Sequence, residues 1–264
     1  WVQHVANGEN LKKFTESTKI NVMNEPRDGK PLLVLDLDHT LLDFSRKTLE
    51  QGGNARDAQA MKRPHMDEFL TNVYPHYDLV VWSQTSWRWL ETKLIELGML
   101  TNVGYNFCFV LDKTSMFAVR STKRDGRSYN HHVKPLQIIW SKFSTRWGPH
   151  NTVHIDDLSR NFALNIPSGL KVTAYYRKKQ SSARRRRDVE LLGLGRYLQQ
   201  LAESQCDFSQ VNFDLWQDVV SGSKTFDETC RVRPASTAAA ASKDVKMRDD
   251  EDTKTERNDN GKSD

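Results

Sequence analysis

Residues 32–43 read Leu-Leu-Val-Leu-Asp-Leu-Asp-His-Thr-Leu-Leu-Asp, an apolar run that stops on two carboxylates, Asp36 and Asp38. An unbroken Leu/Val run suits a strand buried on both faces, as in a parallel sheet. Open α/β sheets bind their ligands at the carboxyl ends of the strands, where Asp36 and Asp38 emerge. Carboxylates in such a place are paired or bind metal, because burying a lone charge is costly. The stretch reads as a cation-assisted reaction centre. A calcium loop is excluded: with Asp36, Asp38 and Thr40 at positions 1, 3 and 5, that loop needs Gly and Glu where this chain has Leu41 and Lys47. An acidic turn without chemistry is the remaining alternative, and the rest of the chain decides against it.

Strands and helices alternate outward from this stretch. A polar loop leads to Pro64 and a helix through Met66, Phe69, Leu70 and Val73; residues 77–83 form a second buried strand. Trp87, Leu90, Leu94 and Leu97 mark a helix that stops at Gly98, and residues 107–111 a third strand. Two strand-like pieces in 115–133 flank Lys123-Arg124-Asp125-Gly126, a hairpin signal. Pro135 opens a helix through Leu136, Ile139 and Phe143, and residues 151–157 form a β-branched strand ending on Asp156 and Asp157. A long helix from about Arg187 to Ala202 follows, and Phe213–Val220 is expected to pack back onto the core. The order implies an α/β fold: a doubly wound parallel sheet with a small β-hairpin insertion and no large cap domain.

Three expected strands end on Asp36 and Asp38, on Ser83, and on Asp156 and Asp157, and Lys134 stands just before the helix that precedes the last of them. Parallel strands deliver these groups to one edge. Carboxylates so gathered repel unless a divalent cation sits among them, and an all-oxygen set suits Mg²⁺. A lysine and a hydroxyl beside them suit the oxygens of a phosphoryl group. The competing readings are ordinary ones: Ser83 or Thr85 as a cap for the next helix, Lys134 as a solvent-facing lysine, Asp156 as a structural partner. His39, His131, His132 and His154 lack metal spacing and read as incidental or packing residues, and Trp82, Trp87, Trp89 and Trp140 as packing.

Composition bounds the partners. The chain has 264 residues, 37% of them hydrophobic, with a mean hydropathy of -0.70. No apolar stretch approaches the roughly 18–20 residues that span a bilayer, so no membrane partner is expected. Cys108, Cys206 and Cys230 are odd in number and lack C-x-x-C spacing, which argues against a disulfide framework or a zinc site and for a reducing compartment. Seven cations fall within residues 177–187, Arg177, Lys178, Lys179 and Arg184–Arg187. They read as a solvated stretch or as a signal for a nuclear import carrier, giving a nuclear, otherwise cytoplasmic, location. Nucleic acid is an unlikely partner because no aromatic residues interleave with the charges. Three parts are expected: a helical lead-in (1–28) following an upstream domain, a catalytic domain (29–222), and a largely disordered polar tail (223–264).

Asp36-Leu37-Asp38-His39-Thr40 resembles the D-x-D-x-T signature of the haloacid-dehalogenase superfamily, in the form of the FCP/SCP-type protein phosphatases. The resemblance continues through Val81–Thr85, Val133–Leu136 and Ile155–Asp157. Pro26–Lys30 and Arg160–Phe162 resemble the branch that carries a ubiquitin-like domain, which this sequence does not include. The resemblance implies a HAD-like, Rossmannoid fold and a Mg²⁺-dependent protein serine/threonine phosphatase. Asp36 would be the nucleophile and Asp38 the general acid and base. Ser83, Thr85, Thr40 and Lys134 would serve the phosphate, and Asp36, the Asp38 carbonyl and Asp157 the metal, supported by Asp156. It also implies a phosphoprotein substrate, on nuclear proteasome subunits or the RNA polymerase II C-terminal tail, and the 26S proteasome as a partner. The alternatives are a phosphatase of a small phosphorylated metabolite and a non-catalytic docking module.

Overall fold

The computed structural model describes residues 5–44, 58–122, 127–177, 181, 183 and 187–230. The elements run in chain order as α1 (Val5–Ser17), β1 (Leu32–Leu35), α2 (Met66–Val73), β2 (Asp78–Trp82), α3 (Trp87–Glu96), β3 (Phe107–Leu111), β4 (Phe117–Thr122), β5 (Ser128–Val133), α4 (Gln137–Lys142), β6 (Thr152–Asp156), β7 (Gly169–Lys171), α5 (Glu190–Glu203) and α6 (Trp216–Val220). Five strands form one parallel sheet in the order β3-β2-β1-β6-β7, and β4 and β5 form a separate antiparallel pair. The expected α/β architecture with its hairpin is therefore present. The Lys123–Gly126 turn lies outside the described residues.

The apolar run of β1 is explained by burial on both faces. Leu33 and Leu35 join Leu79, Val81, Val153 and Ile155 against α2, α3 and α5. Leu32 and Val34 point the other way, with Val80, Trp82 and Phe109, toward Ile138, Ile139 and Trp147. A one-residue slip of β1 would exchange the two faces, so its register is fixed by packing. Along the sheet, Leu32 sits beside both Asp78 and Thr152, so β1 is flanked by β2 and β6.

Several expectations need correcting or extending. Cys206 and Cys230 form a disulfide, which the odd cysteine count concealed; Cys108 is the buried free thiol, and burial pushes its pKa up to about 12. Within the segment 223–264 expected as a tail, Phe226 and Thr229 are buried, and residues 231–264 lie outside the described residues. Trp87 is not a packing residue, being 49% exposed, because it opens α3 on the outer side of the helix. Strand β7 was not foreseen, as Gly-Leu-Lys is too short to show a pattern. The N-terminal segment is helical and is joined to the domain: Phe14 packs on Phe117 with ring centroids 5.0 Å apart. Among the described residues no helix is long and apolar enough to cross a membrane.

Candidate active site

Asp36 is the first residue beyond β1, and its amide donates to the Ile155 carbonyl at 3.0 Å, so the β1–β6 ladder extends to the carboxylate itself. The following loop is held from below by the buried Leu37, Leu41 and Leu42. His39 adopts a left-handed conformation (φ 65°), and its amide donates to the Leu42 carbonyl at 2.7 Å. Such a backbone persists only where neighbouring contacts fix it. Arg63, itself buried, donates to the Thr40 carbonyl at 3.2 Å and is held by Asp188 (3.0 Å) and Glu190 (2.8 Å).

The sheet brings Asp36, Lys134, Asp156 and Asp157 together. Lys134 Nζ donates to Asp36 Oδ1 at 2.5 Å and to Asp156 Oδ2 at 2.6 Å, and it is fully buried. That disposes of the solvent-facing reading of Lys134. Asp156 is saturated: Oδ1 accepts from the Leu158 amide at 2.9 Å, and Oδ2 also accepts from Asn161 Nδ2 at 2.8 Å. Two groups absent from the expected site support Asp156, namely Asn161 and His154. His154 is buried, lies 3.6 Å from Asp156 and stands edge-on to Phe162. It is thus a structural backing to the site rather than incidental. Its position two residues before Asp156 on the same strand, hence on the same side, was the available signal.

Thr40 joins the two carboxylate loops. Its Oγ1 accepts a hydrogen bond from the Asp157 amide at 3.1 Å and lies 3.4 Å from the Asp157 carboxylate. Ser83 is buried at the end of β2; its Oγ is 2.9 Å from Thr85 Oγ1 and 3.4 Å from Asp38 Oδ2. Neither Ser83 nor Thr85 caps α3, whose N-cap position is Ser86. Asp38 is not one of the three closely gathered carboxylates. It pairs with Lys93, a residue that sequence reasoning missed, and its side chain is 32% exposed.

One ammonium pairs with two of the three buried carboxylates here, Asp36 and Asp156, and leaves Asp157 without an ion pair of its own among the described contacts. Ligand oxygens of Asp36, Asp156 and Asp157 all lie within 4.8 Å of one another. Burial, reinforced by Asp156, raises the Asp36 pKa to about 7 against the pull of Lys134. Asp157 is raised to about 8 by burial, Asp156 and Asp36, whereas Lys134 above all holds Asp156 well below the usual carboxylate range despite its burial. Asp36 Oδ2 is buried without a hydrogen-bond partner. An orphaned anionic oxygen beside a second underpaired carboxylate fits a hard divalent cation with oxygen ligands. Of the three, Asp156 is the one whose two oxygens already accept hydrogen bonds from Lys134, Asn161 and the Leu158 amide.

Of the basic cluster, Arg177 and Arg187 are described; the Arg177 amide donates to Asp43 at 2.8 Å, and Lys178, Lys179 and Arg184–Arg186 lie outside the described residues.

Comparison with known proteins places the chain among relatives of one kind. The chain is 40% identical over 212 residues to "Ubiquitin-like domain-containing CTD phosphatase 1" of Xenopus tropicalis, covering 79% of this chain and 62% of that protein. The Homo sapiens protein of the same name is 39% identical over 216 residues, covering 81% and 63%. This chain therefore spans about three-fifths of the length of these relatives. A solved structure described as "The Structure of Fcp1, an essential RNA polymerase II CTD phosphatase" aligns at a TM-score of 0.46 and 14% identity, over 83% of this chain and 69% of that one, too loosely to bear on function. Residues 31–209, which hold every site residue named above, match the model of one family, and the chain belongs to it: the NLI interacting factor-like phosphatases.

Proposed function

We propose that this chain is a Mg²⁺-dependent protein serine/threonine phosphatase that works through an aspartyl-phosphate. The observation that carries the reading is the separation of Asp36 from Asp38. Two residues apart in sequence, they stand in different settings: Asp36 buried against Lys134, Asp38 half-exposed against Lys93. Carboxylates in different environments take different chemical roles. Asp36 attacks phosphorus as the P–O bond to the substrate serine or threonine breaks, leaving the phosphoryl group on its carboxylate. Asp38 gives its proton to the departing oxygen and later accepts one from the hydrolytic water. Ser83, Thr85 and Lys134 hydrogen-bond the phosphoryl oxygens, and Thr40 orders the loop. Mg²⁺ held by Asp36, the Asp38 carbonyl and Asp157 would neutralise charge between nucleophile and phosphate.

The substrate assignment rests on the names of the relatives and on the short insertions. Between Ser83 and Lys134 the described residues form α3, β3 and the β4–β5 hairpin, with no cap domain over the site. That favours a phosphorylated protein segment, on the RNA polymerase II C-terminal tail or nuclear proteasome subunits, over a small metabolite. Nuclear location, through an import carrier on residues 177–187, and association with the 26S proteasome belong to the same proposal.

The test is hydrolysis of a phosphoserine peptide and p-nitrophenyl phosphate, in Mg²⁺ or EDTA, by wild type and Asp36→Asn. We expect turnover in Mg²⁺ alone, and a loss of at least about 10³-fold in Asp36→Asn, as for removal of other nucleophiles. Persistent activity in Asp36→Asn would sink the mechanism. Preference for sugar phosphates would favour the metabolite phosphatase, and an inert wild type the docking module.

A further inference from the structure

Helix α3 carries a lysine where its pattern calls for an apolar residue. Leu90 and Leu94 of this helix, and Leu97 just past it, enter the core. Lys93, three residues after Leu90 and one before Leu94, lies on the same face and is 4% exposed. A buried lysine needs a compensating charge. Its Nζ meets both oxygens of Asp38, at 2.6 and 2.5 Å, and passes 5.6 Å from the Phe44 ring centroid. Lys93 and Asp38 are 55 residues apart, so the pair is a tertiary contact between α3 and the β1 loop.

We infer that Lys93 is a positioning residue for Asp38, holding its carboxylate at the cleft and aimed at the leaving-group oxygen. The inference rests on the phosphatase reading above. Three neighbouring carboxylates already crowd the interior side of the loop. A fourth that is free to rotate could turn toward the interior and abandon the leaving group. A two-point contact with an ammonium anchored on a helix fixes the direction. The proton balance follows from that placement. Asp38 transfers its acidic hydrogen to the serine oxygen as the P–O bond to serine breaks and the P–O bond to Asp36 forms. The resulting Asp38 carboxylate is left against the Lys93 cation. Lys93 itself neither gains nor loses a proton and touches no phosphoryl oxygen.

The two kinds of leaving group separate this role from a structural one. A serine alkoxide needs a proton to depart, whereas p-nitrophenolate leaves as an anion. Single-turnover release of serine peptide and of p-nitrophenol, in Mg²⁺ with enzyme in excess, is compared for wild type, Lys93→Met and Lys93→Arg. We expect Lys93→Met to slow peptide release by about 10- to 100-fold, a share of what general acid catalysis provides. Release of p-nitrophenol should change by less than about threefold, and Lys93→Arg should recover most of the peptide rate. In an Asp38→Asn background Lys93→Met should cost nothing further, since it acts only through Asp38. Equal losses on both substrates, no loss on either, or additive losses in the double variant overturn the inference. If Lys93→Met fails to fold, Lys93→Gln takes its place with the same expectations: loss on the peptide alone supports the inference, and equal losses or no loss on either substrate overturn it. A wild type that releases neither product, or the phenol alone, overturns the underlying phosphatase reading, and Lys93's role falls with it.

Discussion

Thr40 and Asp157 are 117 residues apart in sequence, yet the Thr40 hydroxyl accepts the Asp157 amide hydrogen at 3.1 Å. This bond ties the loop beyond β1 to the loop beyond β6. Thr40→Val keeps the shape and removes the acceptor, leaving a buried amide without a partner. We expect a loss of about 1–3 kcal/mol in urea unfolding. A higher Mg²⁺ concentration for half-maximal activity should accompany it, since the Asp157 carboxylate is no longer fixed.

Lys134→Met should cost more. It strips the cation from Asp36 and Asp156 in a site that excludes water. Breaking a buried pair in this way destabilises by about 3–5 kcal/mol. Chemical denaturation should show that loss together with abolished turnover, and Asp156→Asn in the same background should restore part of the stability.

The metal-free protein should be sensitive to rising pH. Burial and the neighbouring carboxylates raise the Asp36 and Asp157 pKa to about 7 and about 8 in the folded state, far above that of a free carboxylate. Between those limits the native state binds protons that the unfolded chain has released. Stability from these groups is therefore fully present below about pH 4 and is lost as pH rises through 7 and 8. A bound divalent cation stabilises the ionised forms. Melting scans from pH 5 to 9 should show a Tm difference between Mg²⁺ and EDTA that widens with pH. His131, held near 4 chiefly by burial, contributes alike in both arms. A difference independent of pH would contradict this account.

Gly169 on β7 has no room for a side chain: an added Cβ would meet the Phe162 ring at 2.4 Å. Phe162 in turn backs His154, which stands behind Asp156. Gly169→Val should therefore destabilise by about 1–3 kcal/mol, as overpacking does. A fall in kcat without loss of folded protein, seen by circular dichroism, would report the displaced His154.

Much of this site was legible because catalytic residues of a parallel sheet sit where strands end. The runs Leu32–Leu35 and Thr152–Ile155 each finish on acidic residues, so sequence alone placed Asp36, Asp38, Asp156 and Asp157 on one edge. Thr40 orders the turn as its hydroxyl suggested. Lys93 went unread because its partner lies 55 residues away, although a lysine beside Leu90 and Leu94 on the buried face was a visible anomaly. The Cys206–Cys230 pair was hidden for a related reason: pairing is a matter of distance in the fold, and an odd count says nothing of it. Trp87 was misplaced because a helix's first residue joins the apolar face only if the chain entering it approaches from that side.

The inner position of β1 has a bearing on how activity is lost. Displacing Asp36 requires separating β1 from β2 and from β6 at once, whereas β3 and β7 are each paired on one side only. Amide hydrogens of Leu33–Leu35 should then exchange with solvent through global unfolding, while those of β7 exchange through smaller openings. On heating, Asp36 should stay seated until the whole domain melts, and inactivation should coincide with unfolding instead of preceding it.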